Sequence, residues 1–252
     1  MKPESSLVKT NPPSQSAIQV SDLSPQPSPS RLFVVATPIG NLEDITLRAL
    51  RVLKECDLIA AEDTRRTLHL LNHFQIRKPL VSYHRFNEAK RTAELVEQLA
   101  AGKRIALVTD AGSPSISDPG GRIIRACIER GIAVEVVPGA SALVMALTVS
   151  GFSTDEFLFV GFLPPKSGGR RTALQRLAAE PRTVVIYESP YRLVKTLTEL
   201  KDICPDRRLV VARELTKKFE EILRGTAGEI LQKLEGRSVK GEITLVIGPL
   251  SL

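Results

Sequence analysis

Three short stretches hold the residue types that let a backbone close around a small molecule: 36–41 (ATPIGN), 109–121 (TDAGSPSISDPGG) and 137–142 (VPGASA). Glycine supplies positive φ and close backbone approach, and Ser, Thr and Asp supply hydrogen bonds at short range. No stretch carries Gly-x-Gly-x-x-Gly or Gly-x-x-x-x-Gly-Lys-Ser/Thr, so neither a dinucleotide fingerprint nor a phosphate cradle is encoded. A ligand here would be held by polar turns and backbone groups. Any one of the three alone reads first as a tight turn between a strand and a helix; together they point to one site. His69 and His73 stand four apart, but the Glu of a metalloprotease pair is missing beside them, so no metal is expected. Cys56, Cys127 and Cys204 form no Cys-x-x-Cys pair and read as small buried hydrophobes of a reducing compartment.

The loops need elements to aim them, and each follows an apolar, β-branched run. The segments 32–38, 58–63, 79–84, 104–110 and 133–139 read as strands. Between and after them, 45–56, 64–74, 87–102, 120–131 and 140–151 read as helices, the first with Ile45, Leu47, Leu50, Val52 and Leu53 inward and the third capped by Asn87 and closed by Gly102. Strand and helix in alternation predict a right-handed βαβ sheet covered on both faces, with the three loops on one edge. Beyond Gly151 the texture changes. Five strands and three or four helices are expected there, with strands assigned at 155–164, 182–189, 207–214 and 241–248 and helices at 169–180, 189–204 and 226–236. The expected fold class is therefore α/β with two α/β domains. The first, 31–150, carries a mainly parallel sheet and the glycine- and proline-rich loops; the second, 151–252, carries a mixed sheet.

The 252 residues exceed the roughly 150 of a common domain, and 42% apolar with 25% charged residues is ordinary for a globular chain. Residues 1–30 are mostly Ser, Pro, Gln, Asn and Lys and read as a disordered tail. They lack the apolar core of a secretory signal, and no Arg precedes Arg31, against a mitochondrial presequence; a chloroplast-type segment stays open. Lys2 and Lys9 cancel Glu4 and Asp22, so the net +7 belongs to the rest of the chain. Its longest apolar run, 140–149, is broken by Ser141 and Thr148 and is too short to span a bilayer, which excludes a membrane protein. Basic pairs recur at Arg65–Arg66, Arg77–Lys78, Lys90–Arg91, Arg170–Arg171 and Lys217–Lys218, and 164–171 (PPKSGGRR) reads as a mobile basic loop suited to an RNA backbone.

The strings TPIGNLEDITLRAL, AAEDTR, DAGSPSISDPG, PGASA, GFLPPKSGGRR, YESPYR and ARELTKKFEEILRGT occur in order between Leu32 and Ile247. Together they resemble the RsmI-type branch of the tetrapyrrole methylase family, the class III S-adenosylmethionine-dependent methyltransferases. Ser113 stands where that branch more often has Thr, and Ser115 where it has Leu. The resemblance implies a cofactor, S-adenosylmethionine, folded in a cleft between the two domains. Pro38 and Gly40 would shape its floor, and Asp110, Ala111, Gly112, Ser113, Ile116 and Ser117 would wrap its methionine and ribose. Ser141 and Ala142 would form the far wall, and Phe162, Tyr187 and Glu188 would face it from the second domain.

It also implies the reaction: methylation of a cytidine ribose 2′-hydroxyl in the decoding region of 16S rRNA within the 30S subunit, by a cytoplasmic homodimer. A ribose hydroxyl is a poor nucleophile, so a base or a cation beside the forming alkoxide is expected. Glu188, Arg213 and Lys217 are the candidates, with Glu214 in the same cluster. Two other readings stay in play: methylation of a tetrapyrrole carbon, against which the basic loop and the YESPYR and ARELTK strings argue, and a non-catalytic ribosome-binding module with purely structural loops.

Overall fold

The structure is a computed structural model that describes residues 30–250. The expectation of a disordered tail therefore lies, Ser30 apart, outside the described residues. Strand and helix alternate through β1 (Arg31–Val35), α1 (Leu47–Glu55), β2 (Leu58–Ala61), α2 (Thr64–His73), β3 (Leu80–Ser82), α3 (Glu88–Ala100), β4 (Arg104–Val108), α4 (Gly121–Glu129), β5 (Ala133–Val137) and α5 (Ala142–Ser150). The five strands form one sheet in the order β3-β2-β4-β1-β5, and every pairing in it is parallel. A parallel sheet covered on both faces needs strands that are apolar throughout; LIAA in β2 is buried at every position. On one face α3 and α4 bring Leu95, Leu99, Ile123 and Cys127 onto Leu32, Ala60 and Leu107. On the other, α1 and α2 bring Val52, Leu53 and Leu71 onto Val35, Ile59 and Val108.

Two local readings change. Leu47, expected inward, is 85% exposed. The Thr46 side chain caps α1 by accepting from the Ala49 amide at 3.1 Å, and the buried stripe then runs through Ala49, Val52 and Leu53, with Leu47 about 200° round the helix from Ala49. Asn87 stands at the N-cap of α3 without a capping bond; its side chain instead accepts from the His84 amide at 2.9 Å and donates to the Ser82 carbonyl at 3.2 Å, tying α3 to the end of β3.

The chain continues through β6 (Phe157–Phe162), α6 (Ser167–Ala178), β7 (Thr183–Glu188), α7 (Pro190–Ile203), β8 (Arg208–Arg213), β9 (Glu221–Thr226), α8 (Ala227–Leu234) and β10 (Ile243–Ile247). Their order is β6-β7-β10-β8-β9; β6 runs parallel to β7, and the remaining pairs are antiparallel. Here the side chains alternate between faces. Ile186, Val211 and Leu245 meet Leu174, Leu197 and Ile230 of α6, α7 and α8. Val185, Val210 and Val246 point the other way, onto Ala146 and Leu147 of α5. Thus α5, which belongs to the first half by sequence, covers the second sheet.

The expected mobile basic loop at 164–171 is not a loop: α6 starts at Ser167 and takes in both glycines. Arg170 is bound through Nε and NH2 to Glu199 at 3.0 and 2.6 Å, and its side chain is 5% exposed.

Candidate active site

Because the first sheet is parallel, its strand-to-helix loops leave from the same edge, and hydrogen bonds join them. Thr37 and Gly112 exchange backbone bonds of 2.9 and 3.0 Å, and the Ala36 amide donates to the Val137 carbonyl at 3.1 Å. The Thr37 hydroxyl adds a bond to the Thr109 carbonyl at 3.0 Å. The first loop is thereby stitched to the other two. Gly139 packs so closely that a Cβ there would lie 2.9 Å from the Ala36 Cβ. In the second loop Ser115 and Ser117 hold φ of 72° and 66°, a left-handed conformation that costs a non-glycine residue about 1–3 kcal/mol.

The loops open on a cavity of about 410 Å³, within the range of small-molecule sites. Asp110, Ala111, Gly112, Ser113, Ile116 and Ser117 line it from the second loop, and Ser141 and Ala142 from the start of α5. From the second sheet come Phe162 at the end of β6 and Tyr187 and Glu188 at the end of β7. The Phe162 and Tyr187 rings pack at 5.7 Å between centroids, and burial pushes the Tyr187 phenol up. Where the halves meet, β6 shifts register between Phe159 and Gly161, and Gly161 leaves only 3.0 Å between a would-be Cβ and the Ser117 Oγ.

Four expected residues are not in this lining. Pro38 is buried and Gly40 is exposed, while Ile39 between them reaches the cavity. Arg213 is held by Glu221 and the Lys240 carbonyl, both at 3.1 Å. Lys217 binds Glu214 at 2.8 Å and Glu242 at 2.9 Å, and its stem lies on Gly40, where a Cβ would come within 2.2 Å of Lys217 Cγ. Burial works against both charges of the Lys217–Glu214 pair. The contact nevertheless holds Glu214 below and Lys217 above their ordinary values.

Glu188 does line the cavity, but its carboxylate is committed. Its side chain is 0% exposed; Oε1 accepts from the Ser189 amide at 2.7 Å and Arg192 Nε at 2.8 Å, and Oε2 accepts the Thr196 hydroxyl at 2.7 Å. With no exposed surface and Arg192 bound to it, this carboxylate is held as a structural anion rather than presented as a base.

Three charged lining residues escaped the sequence reading, Glu62, Asp118 and Glu242, and Arg66, read there as half of a basic pair, lines the cavity with them. Burial pushes the Glu62 carboxyl up, and its Oε2 receives the Asp110 amide at 3.4 Å. Asp110 in turn accepts from the Asp63 amide at 3.0 Å and faces Arg66 Nε at 3.5 Å. Asp63 caps α2 and pairs with Arg65, whose hydrogen bonds hold its carboxyl well below the usual range. Burial, with Glu62, Asp110 and Glu242 around it, pushes Asp118 up to about 7. The string DAGSPSISDPG contains Asp118 and AAEDTR contains Glu62, so the motifs carried the signal while the packing that gives it meaning is tertiary.

The resulting site is acidic. Five carboxylates and one guanidinium, Arg66, border it together with the apolar Ile39, Phe162 and Leu215, and the first turns of α5 and α7 open on it. Such a lining suits a compact cation with a flat apolar part, and helix N-termini suit a carboxylate on the same ligand. Among the described residues no group of three or more His, Cys, Asp or Glu side chains is placed to hold a metal ion.

Fold and cavity together define a two-sheet α/β protein with a ligand site at the carboxyl edge of its parallel sheet. Residues 31–231 match the family Tetrapyrrole (Corrin/Porphyrin) Methylases, and the chain belongs to that family. It is 49% identical over 217 residues to the Ribosomal RNA small subunit methyltransferase I of Thermotoga maritima, covering 86% of this chain and 97% of the relative. To the protein of the same name from Synechocystis sp. it is 52% identical over 217 residues, covering 86% and 78%. Its fold is that of the uroporphyrin-III C-methyltransferase of Thermus thermophilus, solved in complex with S-adenosylhomocysteine: TM-score 0.60 and 22% identity over 86% of this chain and 96% of that one.

Proposed function

We propose that the chain is an S-adenosylmethionine-dependent methyltransferase acting on the ribosomal RNA of the small subunit. Its acceptor on this reading is the ribose 2′-oxygen of a cytidine in the decoding region of 16S rRNA, met in the 30S subunit by a cytoplasmic homodimer. The observation that carries the reading is the acidic, partly apolar cavity, in a chain about half identical to two proteins named as small-subunit rRNA methyltransferases.

The methyl donor bears a sulfonium, an ammonium and a carboxylate, charges that match this lining, and when bound it supplies an electrophilic methyl group. Asp110, Ala111, Gly112 and Ser113 would hold its amino-acid and ribose portions, Ile116 and Phe162 its flat base, and the α5 start at Ser141 and Ala142 its carboxylate. The protein's task is then to position the acceptor and exclude water, which accounts for much of the acceleration of such a displacement.

In this scheme Glu188 acts through Arg192 and Thr196 as the anchor of the β7–α7 corner. Lys217 serves as a clasp, joining the first loop at Gly40 to Glu214 and Glu242 of the second half. Segments 31–150 and 151–252 would form the two domains, with α5 as the shared element. The exposed Lys90, with a side chain 86% exposed, and the exposed Arg122 and Arg125 are available to RNA phosphates; Arg65, bound to Asp63, and the buried Arg170 are not.

The test is methyl transfer from labelled S-adenosylmethionine to 30S subunits lacking the modification, with the labelled nucleoside identified by mass spectrometry. The expected product is 2′-O-methylcytidine. Turnover of a tetrapyrrole instead, with no label in RNA, would overturn the reading.

A further inference from the structure

Five carboxylates border the cavity, and the hydrogen-bond network separates one from the rest. Glu188 is buried and bound to Ser189, Arg192 and Thr196. Glu242 is bound to Lys217, Asp110 holds the Asp63 amide and faces Arg66, and Glu62 receives the Asp110 amide. Asp118, half-buried, has neither a hydrogen bond nor an ion pair among the described residues. It precedes Pro119 at the end of the second loop, where Ser117 holds the left-handed φ of 66° and packs close to Gly161 of β6.

Its position is as distinctive as its lack of partners. A solvent-open groove between α3 and α4 carries Arg122 and Arg125 alongside Glu88 and Glu129, with Ser115 and Asp118 in the same lining. Asp118 also borders the cavity. It therefore stands where a solvent-open groove with two exposed arginines meets the ligand cavity, a place an RNA strand can reach with its phosphates on Arg122 and Arg125.

We infer that Asp118 is the general base of the reaction and takes the proton of the acceptor ribose hydroxyl, an inference that rests on the methyltransferase reading above. As the 2′-oxygen forms its bond to the methyl carbon, the carbon–sulfur bond of the donor breaks and leaves its electron pair on sulfur. The hydroxyl proton passes to an Asp118 carboxylate oxygen and leaves to water through the groove after the products depart.

The surroundings suit this task. Glu62 from the end of β2, Asp110 from the end of β4, Glu242 ahead of β10 and the Tyr187 phenol of β7 face Asp118. Two cations close to the other acids, Arg66 and Lys217, are engaged by Asp110 and by Glu214 and Glu242, while Arg122 and Arg125 share the groove with Asp118. Burial and like charge bring Asp118 to about 7, where a base combines an available unprotonated form with useful proton affinity.

The experiment compares wild type with Asp118→Asn, an isosteric change at a carboxylate with no protein partner to lose. Single-turnover methyl transfer to unmodified 30S subunits is measured from about pH 5 to about pH 9, and S-adenosylmethionine affinity is measured by calorimetry without RNA. Expected is a loss of roughly 10²- to 10⁴-fold in the single-turnover rate and disappearance of the acid limb of the pH profile, with donor affinity held within about threefold. A variant rate within about threefold of wild type overturns the inference. A parallel loss of donor affinity that accounts for the lost rate also overturns it, because Asp118 would then be a donor ligand. If wild type binds the donor but labels no RNA, the methyltransferase reading falls first and the base assignment with it; an active wild type with an unaffected variant sinks the base assignment alone.

Discussion

Glu188 and Asp118 lie on the same cavity and differ in what their neighbours have already claimed. The Glu188 carboxylate takes the Ser189 amide, the Arg192 guanidinium and the Thr196 hydroxyl, so truncation strands Arg192 and the hydroxyl in a largely buried corner. Glu188→Ala is expected to lower unfolding free energy in urea by about 3 kcal/mol, while Glu188→Gln, if soluble, keeps the acid limb of the pH–rate profile. Loss of that limb in Glu188→Gln would restore Glu188 as a candidate base.

Asp118 makes the opposite prediction for stability. Its folded value near 7 lies above the ordinary 3.8, so between those values the folded chain binds the proton more tightly than the unfolded one. The native state has its full stability from this group below about pH 4 and loses it as pH rises toward 7. The melting temperature of Asp118→Asn minus that of wild type should therefore be small near pH 4 and grow to a plateau above about pH 7; a difference independent of pH would contradict the assignment. Residue types announced the cavity-lining loops only as a set: Gly, Ser and Asp after one strand make an ordinary turn, and three such loops on one edge of a parallel sheet point to a site. They did not separate an anchored carboxylate from a free one, since that depends on Thr196 and Arg192 on one side and Glu242 on the other.

The elements of the first half followed from periodicity, because strands buried on both faces are unbroken apolar runs and the helices between them are amphipathic. One strand and the first turn of one helix in the second half did not. In β9 an edge strand carries Glu221, Arg224 and Gly225, charges and a glycine that blunt the alternating signal just where an exposed edge needs protection. In α6 two glycines mask the first turn, and the Arg170–Glu199 pair that fixes it lies 29 positions apart in sequence. The joint between the loops is also an element-scale device. Gly139→Ala would push a methyl against Ala36, with an expected cost of about 1–3 kcal/mol and a weaker donor affinity by calorimetry, because the third loop would move off the first. At the opposite end of the second sheet, Arg207 donates to the Gly248, Ala178 and Glu180 carbonyls at 2.7, 3.0 and 2.7 Å. Arg207→Met is expected to cost about 2–4 kcal/mol in urea unfolding and to leave donor affinity unchanged, since none of these carbonyls borders the cavity.

Across the whole molecule, the sequence pattern places a texture change near Gly151, and the packing crosses it. Ala146 and Leu147 of α5 lie on Val185, Val210 and Val246 of the second sheet, while the first turn of the same helix lines the cavity. Chain order alone cannot reveal which sheet a nearly uniformly apolar helix will cover. The consequence is that the second sheet and the three loops are fixed relative to one another by one helix, so the cavity is built rather than left between independent bodies. Ala142, in the first turn of α5, is the position from which that claim is most directly tested. Calorimetric titration of wild type and Ala142→Phe with S-adenosylmethionine should give one site per chain for wild type. For the variant it should give at least about a tenfold loss of affinity, with the free protein still unfolding in one cooperative transition. Undiminished binding to the filled cavity, or no binding to wild type, would contradict the assignment of this cavity as the donor site.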